Sequence, residues 1–231
     1  MKKYLLLNII VFFSVSLFAQ NEQSKIDWAN LHRYQEENTQ LNLVANNGKR
    51  VVFMGNSITQ GWKDKDSAFF ASHNYIDRGI SGQTTPQMLL RFRQDVIDLK
   101  PSVVVILAGI NDIAENTGHL SEEEIFANIQ SMAELAKVHH IKVVLCSVLP
   151  AKNIPWRKYV EPIEKIIKLN NLIKDYCTKN NIPYVDYYSA MVDENKGLKT
   201  DLVLTGDTVH PNLAGYKVME GVVEKTLKKL L

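Results

Sequence analysis

Two apolar runs without polar alternation, Ser102 to Ala108 and Lys142 to Leu149, constrain this chain more than any other feature. Both are rich in β-branched residues, and a strand that is apolar on both faces must be covered on both faces. Three more apolar runs, Arg50 to Met54, Tyr75 to Arg78 and Tyr184 to Asp186, complete a set of five strand candidates. Helical patterns fall at about 84–99, 121–139, 161–180 and 211–229. This alternation predicts a three-layer α/β/α sandwich around a central, mostly parallel five-stranded sheet. Right-handed crossovers then gather the loops that follow the strands along one edge of the sheet.

Local signals agree. Ser121, followed by Glu122, Glu123 and Glu124, is an N-cap with its glutamate at the third helical position. Pro211 suits the first position of the final helix, where a missing N–H is harmless. Residues 24–44 read as a polar, partly amphipathic helix that offers Ile26, Trp28, Leu31, Leu41 and Leu43 to the sheet.

Four short polar motifs carry the chemistry, three of them just after strand candidates: Gly55-Asn56-Ser57-Ile58-Thr59, Gly79-Ile80-Ser81-Gly82, Gly109-Ile110-Asn111-Asp112 and Asp207-Thr208-Val209-His210-Pro211. A serine hydroxyl is a weak nucleophile at neutral pH and needs an imidazole to take its proton. His210 is the candidate base. A carboxylate on the other ring nitrogen fixes the tautomer and stabilises the imidazolium, and Asp207, three residues upstream, reaches it locally. The oxygen of a tetrahedral intermediate needs preorganised N–H donors. The backbone N–H groups of Ser57 and Gly82 and the side-chain amide of Asn111 form the natural trio. Taken alone, Ser57 reads as a helix cap and Gly82 as a turn residue; four blocks in order reverse that reading for Ser57.

The ordered set resembles the SGNH hydrolases, the superfamily of the GDSL lipases and acylhydrolases, over most of the chain. The Ser, Gly, Asn and His of that name correspond to Ser57, Gly82, Asn111 and His210. The resemblance implies a flavodoxin-like sheet, a catalytic Ser57, Asp207 and His210, an oxyanion hole of Ser57, Gly82 and Asn111, and no cofactor or metal. It also implies a short acyl group, acetyl above all, removed from a carbohydrate or small alcohol. The alternatives are a lysophospholipase or thioesterase acting on longer chains, and an inactive carbohydrate-binding relative. One departure stands out: the usual Gly-Asp-Ser is Gly-Asn-Ser here, with Asn56 in the middle, a change expected to affect local hydrogen bonding only. The elbow of α/β-hydrolases needs Gly-x-Ser-x-Gly, and Thr59 occupies its second glycine position.

Lys2 and Lys3, an apolar stretch from Tyr4 to Phe18 and then Ala19 describe a cleavable signal peptide over residues 1–19, too short to span a membrane stably. The expectation is one hydrolase domain over 20–231, secreted or periplasmic and without stable membrane insertion. Losing those two lysines brings Lys and Arg from 27 to 25, level with the 25 acidic residues. That balance gives no support for nucleic-acid binding. Cys146 and Cys177 read as small buried hydrophobes rather than a bridge or a metal site.

Other candidates have ordinary explanations. Asp112 is given no catalytic role, and Trp62 and Arg78 default to packing. The stretch Pro150 to Tyr159 should overhang the catalytic edge, where Trp156 and its cations suit sugar stacking or an anionic substrate, or else a capping or subunit contact. Self-association through an exposed face is left open, since no residue pattern identifies such a face.

Overall fold

The computed structural model describes residues 27–46 and 48–231. The expected signal peptide lies outside the described residues. Five strands form one sheet: β1 (Val51–Gly55), β2 (Tyr75–Gly79), β3 (Val103–Ile106), β4 (Lys142–Cys146) and β5 (Tyr184–Val185). Their order is β2-β1-β3-β4-β5, and every pair is parallel. The β-branched runs occupy the centre, with Val103, Val104, Val144 and Leu145 fully enclosed.

Helices cover both faces. Among the described residues they are α1 (Gln35–Leu43), α2 (Ser57–Lys65), α3 (Ser67–Ala71), α4 (Thr85–Asp95), α5 (Ile110–Ile113), α6 (Glu122–Val138), α7 (Pro162–Asn180), α8 (Tyr187–Met191) and α9 (Leu213–Leu227). Helix α6 packs on α4 and on α7, whereas α9 packs on α2 and α8. Crossovers of one hand explain the split, because the chain leaves β1 toward β2 and all later connections run the other way. The reversal of direction lies between β1 and β3. Loops leaving those two strands diverge there and open the crevice in which sheets of this order place their sites.

Three expectations need correction. Pro211 does not open the last helix: Asn212 caps it, its side chain accepting from Gly215 N at 2.9 Å, and Pro211 instead bridges Val203 in extended backbone. The helix expected over 24–44 is confined to Gln35–Leu43. Asp27 accepts from the N–H groups of Leu31 and His32, and Asn30 turns left-handed at φ 53°, so the segment before it is a string of turns. Consequently Trp28, Leu31 and Leu43 are exposed and only Leu41 packs against the core, while Ile26 lies outside the described residues. Helices α2, α3 and α8 were not legible as periodic patterns, being short and polar or aromatic.

Trp62 packs among Phe53, Phe69, Phe70 and Tyr216 beneath α2. Cys146 and Cys177 are buried and free, with the Cys177 thiol pushed up to about 12 by burial.

Candidate active site

Ser57 is the first residue of α2, immediately after β1. Asn56 caps that helix, its Oδ1 accepting from Ile58 N at 3.2 Å. An asparagine carbonyl serves as a cap about as well as a carboxylate, which explains how Gly-Asn-Ser keeps the local geometry. The N–H of Ser57 therefore sits in a first helical turn, where backbone donors lack intrahelical acceptors and the dipole favours negative charge. Strand β2 ends directly against this turn: a Cβ on Gly79 would collide with the backbone of Asn56 and Gln60.

His210 and Asp207 come from the segment before α9. Ser57 Oγ lies 3.0 Å from His210 Nε2, and His210 Nδ1 lies 2.7 Å from Asp207 Oδ2. The other carboxylate oxygen, Oδ1, accepts from the backbone N–H groups of Thr208, Val209 and His210. Burial alone would raise the Asp207 carboxyl. The N–H of Val209 and the His210 ring outweigh it and hold the group below its ordinary value. A carboxylate so held stays ionised opposite the imidazole.

The Gly82 and Asn111 motifs meet each other. Gly82 has φ +77°, a conformation that strains any residue with a Cβ. Asn111 is buried in α5, and its Nδ2 donates to the carbonyl of Gln83 at 2.9 Å, tying it to the Gly82 loop. That contact fixes the amide plane and occupies one of its two hydrogens. Asp112, beside it, accepts from both the N–H and the hydroxyl of Thr85 at the start of α4, so it is a strut between two loops. Burial pushes its carboxyl up to about 6.

Several residues that motif reading passed over hold the loops in place. Buried Arg91 donates to Gly55 O and Arg78 O, both at 2.9 Å, to Gln83 Oε1 at 2.6 Å and to Asp95 Oδ2 at 2.9 Å. One guanidinium thus grips the strand ends before Ser57 and Gly82 and the residue after Gly82. A signal existed in the sequence, because Arg91 lies on the same helical face as the core residues Met88 and Phe92. Arg78, expected to be a packing residue, is also buried. It donates to Asn38 Oδ1 and lies over the Tyr34 ring.

The Pro150–Tyr159 stretch does overhang the site. The Trp156 ring lies 6.0 Å from the His210 ring at 30°, and its Nε1 donates to Asn116 Oδ1 at 3.0 Å. Asn116 Nδ2 in turn reaches Gly82 O at 3.3 Å, and Thr208 Oγ1 donates to Asn153 O. The loop is pinned both to the His210 segment and to the Gly82 side.

Comparison with known proteins identifies the family. Residues 53–218 match the GDSL-like lipase/acylhydrolase family. A Bacteroides fragilis structure assigned to the acylhydrolases is 50% identical, with a TM-score of 0.85 over 88% of this chain and 99% of that one. A GDSL-like lipase from Bacteroides thetaiotaomicron is also 50% identical, with a TM-score of 0.84 over the same shares. The acetylxylan esterase of Geobacillus stearothermophilus is 26% identical over 62% of this chain and 67% of its own length. The chain therefore belongs to the GDSL-like lipase/acylhydrolase family of the SGNH hydrolases and is a carboxylic ester hydrolase.

Proposed function

We propose that this protein is an exported serine esterase that removes short acyl groups, acetyl above all, from a carbohydrate or small alcohol. The observation that carries the reading is the continuous line from Ser57 Oγ through His210 to Asp207. Ser57 Oγ attacks the ester carbonyl while its proton passes to His210 Nε2. The carbonyl oxygen becomes an oxyanion held by the N–H groups of Ser57 and Gly82 and by Asn111 Nδ2. The C–O bond to the alcohol then breaks, and the alcohol oxygen takes the proton back from His210. Water, deprotonated by the same imidazole, attacks the acyl-enzyme and releases the carboxylic acid and Ser57. Asp207 orients the ring and stabilises its charged form throughout.

The alcohol must leave from beside His210, and there it meets the Trp156 indole, a flat surface suited to the C–H face of a sugar. The acetylxylan esterase among the relatives supports that substrate class. The basic and apolar N-terminal stretch supports export.

Hydrolysis of p-nitrophenyl esters from acetate through dodecanoate, with Ser57→Ala alongside, tests the reading. Acetate is expected to be the best substrate, with activity lost in the variant. An optimum at octanoate or longer would overturn the short-acyl assignment.

A further inference from the structure

The Gly82 loop has a second face. A cleft of about 830 Å³ opens between Ile80–Gln83, the N-terminal segment from Asp27 to His32, and Asn116-Thr117. Apart from Trp28, Ile80 and Gly82, every residue lining it is polar, and no lysine or arginine is among them. Such a lining offers no channel for a long acyl chain and no lysine or arginine for a phosphate or carboxylate. Hydroxyls and amides, with the Asp27 carboxylate and the His32 imidazole, surround one exposed indole and match a neutral sugar, whose edge hydrogen-bonds while its C–H face stacks.

Trp28 is 49% exposed, yet the backbone that presents it is fixed. Gln87 Nε2 donates to Trp28 O at 2.7 Å, and Gln83 Nε2 donates to Ala29 O at 2.6 Å. Gln83 is the same residue whose carbonyl holds Asn111. The segment is therefore fastened to the oxyanion side of the site by side-chain amides, and an indole on a rigid support loses little freedom on binding.

The cleft is linked to the catalytic residues through Gly82 and Asn116. Asn116 lines it, accepts from Trp156 Nε1 and donates to Gly82 O. Trp156 faces His210, the group that returns a proton to the departing alcohol. An alcohol with more than one ring would continue from Trp156 past Asn116 toward Trp28. We infer that this cleft is a second sugar subsite, which takes the part of a neutral oligosaccharide beyond the esterified residue, with Trp28 as its stacking platform. The inference deepens the proposed carbohydrate-ester reading and rests on it.

The test is a binding measurement, so it does not depend on turnover. Ser57→Ala protein is titrated calorimetrically with xylotriose, cellotriose and mannotriose, and with xylose as the short control. Saturable binding of at least one trisaccharide, tighter than that of xylose, is expected. Adding Trp28→Ala should weaken it about tenfold, and Trp28→Phe should restore most of it. Thermal midpoints of both variants check that the fold is kept. No saturable binding of any trisaccharide, affinity equal to that of xylose, or an unchanged affinity in Trp28→Ala would overturn the subsite. Failure of the esterase reading would appear separately, as ester hydrolysis that does not depend on Ser57.

Discussion

Ser57 Oγ and His210 Nε2 lie 3.0 Å apart although 153 positions separate them in the chain. The distance is set from below: Tyr216, in the first turn of α9, donates its hydroxyl to Ile58 O at 2.9 Å and locks α9 onto α2. The nucleophile on α2 and the base in the segment just before α9 are thus held by a buried hydrogen bond between those two helices, and the local Asp207–His210 pair arrives as one unit.

Asp207→Asn separates orientation from fold. Its Oδ1 would still accept from the three backbone N–H groups, but an N–H would replace Oδ2 opposite His210 Nδ1. The imidazole would then keep its hydrogen on Nε2 and could not receive the proton of Ser57. By analogy with other triads, kcat should fall about 10⁴-fold. The thermal midpoint should stay within a few degrees of the parent, and a midpoint that falls with activity would mark a structural role instead.

Asn111→Ala removes the side-chain donor assigned to the oxyanion. A loss of about 2.7–4 kcal/mol of barrier stabilisation is expected, which is about 10²–10³ in kcat. Because the donor acts on charge that develops in the transition state, kcat and kcat/KM should fall together. A rise in KM alone would show that Asn111 only binds the ground state.

These two residues also show how far sequence reaches. Ser57, Gly82, Asn111 and His210 were legible because each stands at the end of an apolar run or in a short motif of fixed composition. The strands were legible because Val103 to Ile106 and Val143 to Leu145 are buried on both faces. The supports were not. Gln83 and Asn116 act through contacts between loops whose approach depends on the whole sheet, and no local spacing announces them, while Arg91 shows only its place on the apolar face of α4 and not the loops it grips. Asn30 and Asp27 ended the predicted N-terminal helix through a left-handed residue and a side-chain turn, which outweigh a weak amphipathic pattern.

Arg91→Ala tests the support directly. The guanidinium is fully buried, and its loss takes a donor from the carbonyls of Gly55 and Arg78 and leaves Asp95 without its ion pair. Removing one partner of a buried pair costs about 3–5 kcal/mol. Urea denaturation should show a lower midpoint with an unchanged slope, and a midpoint equal to the parent's would contradict the bracing role.

Asp77 gives the fold a pH dependence. It is 3% exposed; one oxygen accepts from Gly79 N, and the other has no partner among the described residues. Burial pushes its carboxyl up to about 7, against the pull of Gly79 N–H, Lys63 and Arg78. Between the ordinary value of 3.8 and about 7, the folded chain holds a proton that the unfolded chain has released. Stability therefore falls as pH rises through that window and is level above it. Asp77→Asn should relieve this loss, with a gain on the order of a few kcal/mol above about pH 7 that shrinks toward zero near pH 4. Asp112, raised to about 6, adds a decline in the same sense that the variant retains. Denaturation midpoints of both proteins at acidic and alkaline pH check this, and an equal difference at both would contradict it.

The most direct measurement of the assigned chemistry is reaction with a fluorophosphonate, followed by peptide mass spectrometry to locate the adduct. An adduct on Ser57 is expected, slowed strongly in His210→Ala and missing in Ser57→Ala. No adduct, or one on another residue with Ser57 unmodified, would contradict Ser57 as the activated nucleophile.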